Sequence, residues 1–248
     1  MVETDCGSYE RRMTSRRWPV ARTDLAGIGS RPTVAAGATR WTAWAGLLFV
    51  GLLIPSVVTE ILGPDPGGTA AAVASKFHTE RTDVLVSGAL LLLTLTAALV
   101  FVVGVTELVR AGADATLVGV SRTAAVIGIA LVAAYTAMFA GIAAAISDLN
   151  SVALVYGLFK TAYAIDAASD LFFGVFLVCA ALALGRAGHA GRWLTRFGVA
   201  AGIVYGLGGF GIVQKAKGPF DGLDALGTIL FAIWAVAVSI RLLRRSSA

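Results

Sequence analysis

Histidine and cysteine are nearly absent from this sequence, with two of each in 248 residues. His78 and His189 fall in connections expected on opposite sides of a membrane, so neither a histidine metal site nor a Ser–His pair can assemble within one chain. Cys6 sits in a polar leader and Cys179 deep in an apolar run. They have no metal-ligand spacing, and their settings argue against a disulfide. The sequence also lacks HExxH, a P-loop, a nucleophile elbow and a Gly-rich dinucleotide fingerprint. Ser87, in "VSGA", has no intramembrane histidine to activate it and reads as a small packing residue. The expectation is therefore a protein that is not an enzyme, with no cofactor and no metal. Charge is scarce too: 14% of residues are charged, against roughly a quarter in soluble domains.

What fills the chain instead is apolar: 57% of residues are hydrophobic. A hydrocarbon core of about 30 Å needs about 20 apolar residues of helix, within roughly 17–25. Six segments meet that length: Trp44–Leu62, Val84–Leu108, Thr123–Ile146, Asp166–Leu184, Phe197–Val213 and Leu223–Leu243. Their apolar character continues around the helix, unlike the single stripe of a soluble helix. Pro55 falls inside the first and is read as a kink. "GPDPGG" (63–68) is a strong break, after which Thr69–Glu80 is too short to cross and reads as an interfacial helix with Val73 and Phe77 on one face. Ser151–Ile165, with Tyr156, Phe159 and Tyr163, has the same character. The fold class is then all-α: a polytopic bundle of six transmembrane helices with two short outer interfacial helices, spanning residues 41–245.

Residues 1–40 hold seven arginines and no periodic apolar run, and are expected to be a disordered, basic cytoplasmic leader. "SRRWPV" within it is similar to a twin-arginine export signal, but Arg22, Asp24, Arg31 and Arg40 intervene before any apolar run. Lys and Arg on alternate connections number fifteen against five, or ten against five when only Arg31 and Arg40 of the leader are kept. Positive charge marks the cytoplasmic side, so both termini are expected there, in the cell (cytoplasmic) membrane. Trp41, Trp44 and Trp193 fall at that same interface. The expected partners are the lipid bilayer, with anionic lipid or a protein partner reached through the Arg-rich leader, and no nucleic acid.

Two patterns mark candidate sites. Gly198, Gly202 and Gly206 repeat every four residues, a spacing that lets another helix approach closely. Asp166 and Asp170 stand four apart at one end of an apolar run. Counted from Arg186 at 1.5 Å per residue, they lie about 30 Å and about 24 Å away, at the outer hydrocarbon boundary and one turn deeper. Asp166 reads as an N-cap. Asp170 is too deep for that, should face the bundle, and is either a structural polar contact, with Lys160 as partner, or a ligand or proton site. With Glu60, Tyr205 and Gln214 these residues make a candidate polar vestibule. Asp83, Asp166 and Asp224 each precede a run that ends near arginine (Arg110, Arg186, Arg241), a hint of three hairpins for which capping and the positive-inside bias give the simpler origin.

The order of basic leader, "RWTAWAGLLFVG", "GPDPGG" with its interfacial helix, and "DLFFGVFLVCAALALGRAG" closing in "RWL" resembles uncharacterised six-span integral membrane proteins of bacteria. The resemblance is one of layout over roughly residues 40–245 and implies a six-helix bundle of unassigned role. Two functions are expected: a non-enzymatic regulatory or scaffolding membrane component, or a small-solute or ion transporter with an outward-facing vestibule around Asp170.

Overall fold

In the computed structural model, the described residues (36–61, 64, 67–149, 151–210 and 222–246) form seven helices. These are α1 (Ala36–Ile61), α2 (Ala70–Thr79), α3 (Arg81–Val109), α4 (Ala115–Ala145), α5 (Val152–Arg186), α6 (Arg192–Gly208) and α7 (Leu223–Ser246). Most of the leader, residues 1–35, lies outside the described set. α1 begins at Ala36 and so takes in the last residues of the expected leader. Among the described residues five helices, α1, α3, α4, α5 and α7, are long and apolar enough to cross a membrane.

Local chemistry sets the helix ends. The side chains of Thr69, Asp114 and Ser151 accept hydrogen bonds from first-turn N–H groups of α2, α4 and α5. α1 runs through Pro55, and the neighbouring Ser56 hydroxyl bonds the Leu52 carbonyl at 2.9 Å and the Thr94 hydroxyl at 3.1 Å. The helix thus gains a polar tie to α3 beside its missing donor.

The long helices close a ring. α1 packs on α3, α3 on α4, α4 on α5, α5 on α6, α6 on α7, and α7 returns to α1. The ring interior is filled by aromatic and aliphatic side chains, with Phe101, Phe176 and Trp234 fully buried and Phe49, Phe173 and Phe231 nearly so. A second apolar cluster caps one end, where Phe77 of α2 meets Phe139 of α4 and Phe159 of α5 at ring distances of 5.5 and 6.1 Å.

Two expectations change. Ser151–Ile165 is not a second interfacial helix but the first turns of α5, a single helix of 35 residues and about 52 Å. Val155, Phe159 and Ala162 form a buried stripe at helical spacing, so contact with the bundle carries the helix straight on. The expected span Phe197–Val213 appears as α6, which starts earlier, at Arg192, and has 17 residues before the 3₁₀ turn at Gly209–Phe210. Residues 211–221 lie outside the described set.

Candidate functional site

Because α5 is continuous, Asp166 sits well inside it rather than at its start. The expected N-cap role is therefore ruled out: Ser151 caps α5 and the N–H groups around Asp166 belong to the helix. Asp170, one turn further, faces the bundle and is 7% exposed. Lys160 is not placed as its counter-charge. It stands ten residues away on the same helix, about 15 Å of rise, with its ammonium 5.4 Å from the centre of the Tyr156 ring. The backbone of Glu60 belongs to α1, but its side chain lies outside what is described, as does all of Gln214.

Tyr205 of α6 is the residue the fold brings to Asp170. It is 9% exposed, with Thr228 of α7 beside it and the carboxylates of Asp170, then Asp166 and Asp224, near enough to act on it electrostatically. Three helices thus contribute to one polar cluster near the end of α6. Sequence reasoning missed Thr228 and read Asp224 only as an aspartate preceding an apolar run, although the two are four apart on α7 as Asp166 and Asp170 are on α5. That matched spacing was the available signal.

Glycines bring the three backbones close enough. A β-carbon at Gly174 would lie 2.6 Å from the Gly206 α-carbon and 2.7 Å from the Gly202 carbonyl oxygen. One at Gly227 would collide with Tyr205, and one at Gly208 would lie 2.8 Å from the Asp224 α-carbon. Gly198 accommodates Trp234 and the Ala181 β-carbon, whereas a β-carbon at Gly206 would make only ordinary contact, 3.7 Å from Gly174. The glycine row of α6 therefore faces α5 at Gly202 and Gly206 and both α5 and α7 at Gly198.

Chemically, carboxylates around a phenol and a hydroxyl suit proton sharing or a polar solute. Among the described residues no group of three or more His, Cys, Asp or Glu side chains is arranged to hold a metal ion. Asp170 also lines neither of two surface grooves. One, about 220 Å³, is bordered by Met138, Ile142 and Leu158; the other, about 390 Å³, by Trp193, Leu194, Ala237, Ile240, Arg241 and Arg244.

The opposite end of the ring is basic. Arg40, Arg110, Arg122, Arg186, Arg192, Arg196, Arg241, Arg244 and Arg245 gather there against Glu107 and Asp114. Glu107 pairs with Arg110 at 3.4 Å and Arg122 at 3.8 Å. Asp114, bonded to the Thr116 backbone N–H, is held below the usual carboxylate range. Arg245 clips the α5–α6 turn, 3.3 Å from His189 Nδ1 and 2.9 Å from the Gly188 carbonyl oxygen. Compared with known proteins, the chain matches no family model, no curated sequence and no solved structure.

Proposed function

We propose that the chain is a multi-pass integral membrane protein that crosses the cytoplasmic membrane six times, with both termini cytoplasmic, as a non-enzymatic regulatory or scaffolding component. It would then share the layout of the bacterial six-span proteins it resembles. The observation that carries this reading is the filled ring interior. Phe101, Phe176 and Trp234 occupy the centre of the bundle, where a solute path would need polar groups or open space. The sixth crossing is argued from packing: α6 sits between α5 and α7, and its 17 residues reach the lower limit for spanning. The nine arginines of the basic end support this orientation.

The buried Asp170 favours one competing reading, a transporter with a polar recess around Asp170, Tyr205 and Thr228. Proteoliposomes separate the two. Under a proton or cation gradient reported by an internal dye, the scaffold reading expects no flux above protein-free vesicles, and Asp170→Asn leaves the trace unchanged. Flux that disappears in Asp170→Asn but persists in Asp166→Asn would replace the scaffold reading with the transport one.

A further inference from the structure

We propose that the groove between the start of α6 and the end of α7 binds one anionic phospholipid, its phosphate on Arg241 and Arg244 and an acyl chain along Leu194, Ala237 and Ile240. The proposal rests on the membrane reading above but not on the regulatory role or the orientation. Its first support is unmatched charge. Arg241 Nε is buried and has no hydrogen-bond partner among the described residues, and neither Arg241 nor Arg244 has an ion-pair partner there. The basic end already uses Glu107 on Arg110 and Arg122, and Arg245 is engaged by the Gly188 carbonyl. Leaving a guanidinium half-buried without an anion is costly.

The second support is the shape and chemistry around those arginines. The groove, about 390 Å³, is walled by apolar side chains with the two guanidinium groups on its border. Trp193, 68% exposed and stacked on Phe197 at 5.3 Å, forms one wall and suits the headgroup zone. The Arg241 guanidinium lies beside Gly191, with Nη1 3.5 Å from where a β-carbon would stand. Gly191 is the N-cap of α6 and supplies no side-chain cap, so the uncapped first turn presents backbone N–H groups next to Arg241. An acidic peptide would satisfy the arginines but has no use for an apolar trough. A neutral lipid would use the trough and leave the arginines unmatched. A phospholipid with net negative charge meets both.

The test is native mass spectrometry of the full chain in neutral detergent micelles carrying equal amounts of phosphatidylglycerol and phosphatidylcholine. The expected result is one retained phosphatidylglycerol per chain in preference to phosphatidylcholine. The double variant Arg241→Gln/Arg244→Gln should lower retention roughly tenfold or more, as loss of two basic contacts implies. Arg110→Gln/Arg122→Gln, at the same end, should not change it. Ala237→Phe, which fills the trough without touching charge, should also lower it, and Arg241→Lys, which keeps the positive charge, should retain more phosphatidylglycerol than Arg241→Gln; equal losses in the two would count against the proposal. Equal retention of both lipids, equal losses in the two arginine pairs, or complete displacement by millimolar inorganic phosphate would overturn the proposal. Binding in micelles carries no sidedness, so an inverted topology would leave this result intact.

Discussion

Replacing Gly174 by alanine tests the α5–α6 contact on which the polar cluster is built. The added carbon would lie 2.6 Å from the Gly206 α-carbon, 2.7 Å from its nitrogen and 2.7 Å from the Gly202 carbonyl oxygen. Carbon atoms rest about 3.5–4.0 Å apart, so the helices must separate by about 1 Å. All three neighbours are backbone, so no rotamer change relieves them. Overpacking of this kind costs about 1–3 kcal/mol, partly offset by the roughly 0.8–1.0 kcal/mol that alanine gains over glycine in a helix. In a bilayer, lipid tails are as apolar as the helices, and close packing is what holds them together. The expected net loss is up to about 2 kcal/mol. Gly157→Ala, on the same helix with nothing within 4 Å of the new carbon, supplies the control and should gain up to about 1 kcal/mol. Reversible unfolding of purified protein in mixed micelles of rising SDS fraction, followed by far-UV circular dichroism, reads both. Equal or greater stability of Gly174→Ala relative to the parent would refute the close contact.

Two further outcomes follow from the same packing and electrostatics. Trp234→Ala should destabilise by about 3–5 kcal/mol in the same titration, because a fully buried ring among Phe101, Phe176 and Phe231 leaves a void. Trp234→Phe should cost less than about 1.5 kcal/mol, since the indole N–H it removes has no hydrogen-bond partner; equal losses in the two would contradict the filled interior. His189 is held below its ordinary value of 6.5 by burial and then by the Arg245 charge. The folded state therefore favours neutral His189, a contribution complete above 6.5 and lost as pH falls from 6.5 through the lowered folded value. Hydrogen exchange at residues 187–191, corrected for intrinsic rates, should show weaker protection at acid pH than at neutral pH, and Arg245→Gln should shrink the difference. Identical protection at both would sink this reading of the clip.

Hydropathy made the membrane-crossing helices legible because lipid contact demands apolar residues all round, and that demand is local. α1, α3, α4 and α7 start or end within a few turns of their expected bounds. Tertiary contact was less visible. Ser151–Ile165, with Tyr156, Phe159 and Tyr163, reads from the sequence as a short interfacial segment, yet Phe159 is fully buried between α2 and α4, which carries α5 on as one helix. That continuity is what moved Asp166 from a helix end to a helix interior. The inward aim of Asp170 could be read from its depth, and Tyr205 from its place in the same half of the bundle. Thr228 could not, because its position depends on how closely Gly227 lets α7 approach Tyr205. The groove at Trp193 and Arg241 likewise joins residues from two helices whose register no local pattern specifies.

The central claim, a bundle crossing the membrane with its basic end in the cytoplasm, is tested most directly by cysteine accessibility. In a chain carrying Cys6→Ser and Cys179→Ser, single cysteines at Thr79, Ala111 and Ser246 would be exposed to a membrane-impermeant maleimide in intact cells and again after permeabilisation. Thr79, at the end of α2, should label in intact cells. Ala111, between α3 and α4, and Ser246, at the end of α7, should label only after permeabilisation. Labelling of Ala111 and Ser246 with protection of Thr79 would invert the orientation. Labelling of Ala111 and Ser246 on opposite sides would contradict the six-crossing bundle itself.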